Sequence, residues 1–185
     1  MLTLINTNMR KIPVIQYLPL TRPLASRGLI KKLNAANVHS ILDLEDSAQN
    51  IFDKEETRQL KKDARNGLLS MSDLFDYSIT TNIYIRVNSM DTEFFEDDIK
   101  AVLKACENGM PIKGVFLPMV RSYSQVEQLN ELLLKSAHPL EIVPMIETVK
   151  GVKQLTDMLK KDKIKNLFSR VHYGHFDYSA DAKLW

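Results

Sequence analysis

Six short apolar runs alternate along this chain with five longer amphipathic ones, and that alternation constrains the fold more than any other feature. The runs that read as strands are Pro13 to Leu18, Ser40 to Leu44, Asn82 to Val87, Gly114 to Leu117, Glu141 to Ile146 and Val171 to Gly174. Helical periodicity lies between them, near Ser26 to Ala36, Lys54 to Leu69, Phe94 to Cys106, Gln125 to Lys135 and Val149 to Lys160. Start signals agree: Asp53 is placed to cap the second helix with Glu56 three residues on, and Ser122 the fourth with Gln125 in the same relation. In the fourth helix Val126, Leu129 and Leu133 share one apolar face, as a helix covering a sheet requires.

Such alternation implies a parallel sheet covered by helices, either doubly wound or rolled into a (β/α) barrel. Polar residues choose between the two. On the third strand Ile83, Ile85 and Val87 share one face, while Tyr84, Arg86 and Asn88 share the other. One apolar face and one face turning polar towards the strand's C-terminal end fit a barrel, whose helices pack outside and whose upper interior holds a site. A doubly wound sheet more often carries apolar residues on both faces and a glycine-rich turn after its first strand. Here that turn reads Leu18-Pro19-Leu20-Thr21-Arg22-Pro23, without glycine.

Charge excludes several partners. Lys and Arg number 25 against 23 Asp and Glu, and the basic pairs Lys31-Lys32, Lys61-Lys62 and Lys160-Lys161 are scattered, so neither nucleic acid nor a membrane surface is an expected partner. The single cysteine, Cys106, sits in a helical pattern and reads as a small core residue in a reducing compartment. No window reaches transmembrane length, and the N-terminal residues Asn6, Asn8, Arg10 and Lys11 interrupt any leader-like apolar run. The expectation is a soluble cytoplasmic protein.

The chemistry gathers where strands end. In order come Arg22, the acids Asp43, Glu45 and Asp46, then Arg86 and Asn88, then Glu147, then His175 and Asp177. The run Ile41-Leu42-Asp43-Leu44-Glu45-Asp46-Ser47 plants three carboxylates within four positions; strict alternation would point Asp43 and Glu45 one way and Asp46 the other. Carboxylates beside a core need a cation or a basic partner, unless they simply cap the next helix and face water. Glu147 and Asp177, one βα repeat apart, suit a hard divalent cation that keeps several waters, such as magnesium. A nearby arginine is able to clamp a substrate carboxylate through two parallel hydrogen bonds, and its bland alternative is an ion pair between Arg86 and Glu45. The combination points to a metal-bound 2-oxo acid in carbon–carbon bond chemistry. His39, His138 and His172 show no metal-ligand spacing and read as surface or core histidines; His175, two residues before Asp177, is better placed.

These segments resemble a known family. Tyr17-Leu-Pro-Leu-Thr-Arg-Pro23, Ile41 to Ser47, Ile85-Arg-Val-Asn88, Gly114-Val-Phe-Leu-Pro118, Ile146-Glu-Thr148 followed by Gly151, and Gly174-His-Phe-Asp177 are similar, in order and spacing, to the HpcH/HpaI aldolase and citrate lyase beta subunit superfamily. The resemblance implies a (β/α)8 TIM barrel of the phosphoenolpyruvate-binding type, a magnesium cofactor, and cleavage or formation of an acyl-CoA thioester of the citryl-CoA or malyl-CoA type or of a small 2-oxo or hydroxy acid. It assigns Glu147 and Asp177 to the metal and Arg86, Glu45 and Asp46 to catalysis. Substrate contacts fall to Arg22, at a position able to face a CoA phosphate, and to Arg86, Asp43 and Asn88. A non-catalytic barrel acting as a binding or assembly subunit is the alternative.

Departures from the family pattern are also legible. Leu20 stands where relatives have glycine beside the expected CoA entrance, Met119 and Arg121 stand where relatives often have Lys and Glu, and the bulky His175-Phe176 pair precedes Asp177. An eight-stranded barrel needs about 250 residues. The 185 residues are therefore expected to form one barrel domain, 1–185, of about six βα units and incomplete at its C-terminus. Two origins are open, a truncated product or a short protein that covers its edges as a homo-oligomer.

Overall fold

The computed structural model describes residues 14–73 and 82–184 of the chain. In order it contains β1 (Ile15–Pro19), α1 (Pro23–Ala35), β2 (His39–Asp43), a single 3₁₀ turn at Asp46–Ala48, α2 (Lys54–Asp73), β3 (Ile83–Arg86), α3 (Phe95–Glu107), β4 (Ile112–Leu117), α4 (Tyr123–Leu133), β5 (Glu141–Ile146), α5 (Val149–Lys165), β6 (His172–Tyr173) and α6 (His175–Asp181). The expected strands and helices are all present, with ends that shift by a few residues. Pro13, the expected start of the first strand, lies outside the described residues. The first helix begins at Pro23 and not at Ser26, because a proline at the first helical position sets φ and has no N–H to satisfy.

All six strands are parallel and neighbour one another in chain order, β1 to β6. Each crossover therefore steps the same way across the sheet, which is the winding of a barrel and not of a doubly wound sheet, whose order reverses. The sheet curls. Tyr17 Oη on β1 comes within 3.5 Å of His172 Nε2 on β6, and the ring of Phe116 on β4 meets the same imidazole edge-on, with centroids 5.6 Å apart. Contact between the first and last strands across the interior makes the sheet a curled half-barrel, the part of the expected barrel that is observed.

Alternation along the strands divides the core in two. Leu18, Leu42, Ile83, Ile85, Val115, Leu117, Ile142 and Ile146 face the helices and pack with Ala64, Leu68, Met71, Ile99, Val102, Val126 and Leu129. Each large aliphatic side chain buried there contributes about 1.5–3 kcal/mol. Ile41, Tyr84, Phe116, Val143 and Met145 turn the other way and fill the concave face, with Ile15 and Tyr17 against them. Cys106 is buried with the outer set. Leu20 is also fully buried there, in the packing between sheet and helices.

The expected caps are present. Asp53 Oδ1 accepts from the N–H groups of Glu55 and Glu56, and Gln125 Oε1 accepts from Ser122 N at 3.2 Å. Among the described residues no helix is long and apolar enough to cross a membrane.

Candidate active site

β2 stops at Asp43, and the chain then leaves the extended conformation, with Glu45 at φ −99° and ψ −104° leading into the 3₁₀ turn. That turn overrides the expected alternation: Asp43, Glu45 and Asp46 do not divide between two faces but all reach one guanidinium, that of Arg86 at the end of β3. Arg86 Nε and Nη2 donate to the two oxygens of Asp43 at 2.8 and 2.7 Å, a bidentate pair. Its Nη1 meets Asp46 Oδ2 and Glu45 Oε2, each at 2.9 Å. The Arg86 charge also lies over the Tyr17 ring, 4.6 Å from its centroid.

Asp43 is buried, which works to raise its pKa, but the Arg86 fork and the N–H groups of Ser47 and Glu45, both 3.0 Å away, outweigh burial and hold the carboxyl below its usual range. One cation facing three carboxylates leaves surplus negative charge. It is relieved at Glu45, whose carboxyl is pushed up to about 8, chiefly by burial and, against the pull of Arg86, by Asp46 beside it. Glu45 is thus the member of the cluster whose carboxyl is driven upward, while Asp46 has a half-exposed side chain.

The second group of acids forms around β5 and β6. Glu147, buried at the end of β5, accepts the N–H of Met119 on Oε1 at 2.7 Å. Met119 holds a left-handed φ of 57°, uncommon for a non-glycine residue, in the loop that follows β4. Glu147 Oε2 is buried and meets no hydrogen-bond donor among the described residues. Its pKa is raised to about 6, by burial first and by Asp177 in addition. Asp177, in the first turn of α6, is raised by burial and by Asp46, with Arg86 opposing. Two carboxylates that repel one another, one with an orphaned oxygen, fit a cation. Among the described residues no three His, Cys, Asp or Glu side chains gather into a cage.

Below these acids the aromatics of the concave face form a floor. Burial pushes the Tyr17 phenol up to about 12 and lowers the His172 imidazole, which Arg86 and Arg170 depress further. Neither residue stood out in the sequence as part of a site, although Tyr17 alternates onto the same face as Ile15.

Of the other candidates, Arg22 is exposed just beyond β1, at the same end of the sheet as the acids. Asn88 is buried with its amide engaged: its Nδ2 donates to Leu44 O at 2.9 Å and to Asp98 Oδ2 of α3 at 2.6 Å, and Asp98 is fixed in turn by Arg65. It ties β3 to the loop after β2. His175 opens α6 with an exposed ring beside those of Tyr173 and Phe176. Arg121 pairs with Asp91.

Acids and one arginine thus gather at the C-terminal ends of successive parallel strands. The family model for HpcH/HpaI aldolase/citrate lyase matches residues 20–185. The chain belongs to that family. Relatives include a citrate lyase subunit beta-like protein of Deinococcus radiodurans, 23% identical over 142 residues, and the citrate lyase subunit beta of Leuconostoc mesenteroides subsp. cremoris, 23% identical over 161 residues. The matches take in 76% and 84% of this chain but 44% and 49% of those proteins, so the chain spans about half the length of the curated relatives it matches.

Solved structures extend the likeness in fold. The lead(II) complex of Haloferax volcanii malate synthase superimposes with a TM-score of 0.69 at 13% identity, covering 92% of this chain and 52% of that one. RipC from Yersinia pestis gives a TM-score of 0.63 at 21% identity, covering 94% and 62%. Membership of the aldolase/citrate lyase family accords with the resemblance read from the sequence, and it makes carbon–carbon lyase chemistry the family's signature.

Proposed function

We propose that this chain carries the 2-oxo acid site of a magnesium-dependent carbon–carbon lyase or aldolase, acting on an acyl-CoA thioester of the citryl-CoA or malyl-CoA type or on a small hydroxy acid. The observation that carries the proposal is the unpartnered, buried Glu147 Oε2, with Asp177 and Arg86 both close enough to act on the Glu147 carboxyl. Glu147 and Asp177 would hold the cation, which when bound supplies Lewis-acid stabilisation of a developing enolate.

The remaining work falls to this chain's own side chains. Asp43 holds the Nε and Nη2 edge of Arg86, so the guanidinium cannot swing, and the Nη1 side is the one offered to a ligand. Asp46, half exposed, is free to turn outward as a substrate carboxylate takes its place at Nη1. Glu45, whose carboxyl is pushed up to about 8, is the group proposed to exchange a proton with the substrate, while its Oε2 stays paired with Arg86 Nη1. The aromatic floor excludes water from below. Arg22 is proposed to face a CoA phosphate from the rim, and self-association is proposed from the exposed Tyr173 and Phe176 beside β6.

Calorimetry with magnesium, then with glyoxylate or oxaloacetate on the magnesium-loaded protein, tests the proposal. Binding of the oxo acid only when magnesium is present is expected. Oxo acid binding of equal strength without the metal, or none at all, would overturn it. A coupled assay for citryl-CoA and malyl-CoA cleavage distinguishes an enzyme from a binding subunit.

A further inference from the structure

Helix α2 buries a stripe formed by Lys61, Ala64, Leu68 and Met71, and the lysine is as buried as its apolar neighbours, 3% exposed. An amine in such a place is costly unless it is bonded. Lys61 Nζ donates to the carbonyl of Glu45 at 2.6 Å and to that of Leu44 at 3.1 Å, and it lies 5.7 Å above the Phe94 ring. Burial pulls its pKa below the usual lysine value, while Glu45, Asp98, Asp43 and Asp46 act to keep it charged.

The peptide that Lys61 grips is a hub. Leu44 N donates to Arg86 O at 2.9 Å, and Leu44 O also accepts from Asn88 Nδ2 at 2.9 Å. The segment between Asp43 and Asp46 is therefore pinned from β3, from α3 by way of Asn88 and Asp98, and from α2. Asp43 is the last residue of β2 and is supported by the N–H of Ser47 as well as by that of Glu45, whereas Glu45 and Asp46 lie beyond the strand, on the backbone that Lys61 holds.

We propose that Lys61 is a positioning residue for Arg86: by fixing the Leu44 and Glu45 carbonyls it sets where Glu45 and Asp46 meet Nη1, the side of the guanidinium offered to a 2-oxo acid. The inference deepens the functional reading above and rests on it for the identity of the ligand. The positioning itself is readable without any ligand.

Arginine side-chain NMR on ¹⁵N-labelled protein provides that test, using Lys61→Met and Lys61→Gln, the second of which keeps one donor. In the Met variant the Arg86 Nη1 hydrogens should exchange with water at least about tenfold faster while the Nε–H, held by Asp43 at the end of β2, accelerates much less; the Gln variant should fall between. Glyoxylate affinity on the magnesium-loaded protein should weaken by about tenfold in Lys61→Met, and the loss should shrink in an Arg86→Lys background. Equal acceleration at Nε and Nη1, or none at either, would overturn the proposal. Failure of both variants to fold would do so too, since the lysine would then serve the whole fold. If the wild type binds no glyoxylate, the functional reading fails while the exchange rates still decide the role of Lys61.

Discussion

Gly174 lies so close to Glu147 that a β-carbon at position 174 would sit 2.2 Å from Glu147 Oε2 and 2.7 Å from Glu147 Cβ. The backbone before α6 thus presses directly on the candidate metal ligand, and only a residue without a side chain permits the approach. Gly174→Ala is expected to push the carboxylate aside and to weaken magnesium binding at least about tenfold, with a stability loss of about 1–3 kcal/mol. Calorimetry and thermal melting on the same sample check both, and an alanine variant with wild-type magnesium affinity would refute the idea.

Arg86→Lys keeps the charge but loses the planar fork on Asp43. Stability should fall by on the order of 1–3 kcal/mol, and 2-oxo acid affinity should fall by a similar amount. Arg86→Met leaves the buried Asp43 carboxylate without its cation and should cost about 3–5 kcal/mol. Denaturant titration ranks the two variants, and a Met variant as stable as the Lys variant would refute the assignment.

The raised Glu45 carboxyl makes stability depend on pH. Its pKa is about 8 in the folded protein against 4.5 for the ordinary side chain, so its contribution is fully present below about 4.5 and is lost as pH rises through about 8. Asp43 runs oppositely: held below its usual range, it stabilises above its ordinary value, and that stability is lost as pH falls through its folded pKa. Glu45→Gln should flatten the decline between about pH 5 and 8 by on the order of 2 kcal/mol. Melting curves of the two proteins across that range supply the comparison, and parallel curves would show that Glu45 does not titrate there.

Tyr123 offers a control remote from the acids. Its hydroxyl donates to the buried Asp162 at 2.9 Å, which also accepts the N–H of Leu167 at 2.8 Å, fastening α4 to the end of α5. Tyr123→Phe should cost about 1 kcal/mol of stability and leave magnesium and glyoxylate affinity unchanged. A change in either affinity would mean that α4 and the site are coupled.

Periodicity made the elements legible, and β5 was bounded correctly from Glu141 to Ile146 because its apolar run has clear limits. The seven residues of α6 were not foreseen, since a helix that short shows no period. At the site, the residues Arg86, Asp43, Glu45, Asp46, Glu147 and Asp177 could be chosen from their places at strand ends. Their grouping could not, because alternation holds only while the strand lasts, and β2 ends at Asp43. The partner of Asn88 is not legible for a related reason: its amide donates to Asp98 on α3, a helix whose period shows only that it covers the sheet. Lys61 was hidden by residue type, since lysines on helices usually face water; its position in line with Ala64, Leu68 and Met71 was the available signal.

The strand order has a kinetic side. Strands that are neighbours in space are neighbours in the chain, so each new pairing closes a loop of only one βα unit, and short closures are entropically cheap and quick. The meeting of Tyr17 with His172, across 155 residues, is of a different order and completes the curl only once the intervening strands are in place. The floor beneath Arg86, which includes Tyr17, is therefore expected to form late in folding, after the outer core has already condensed.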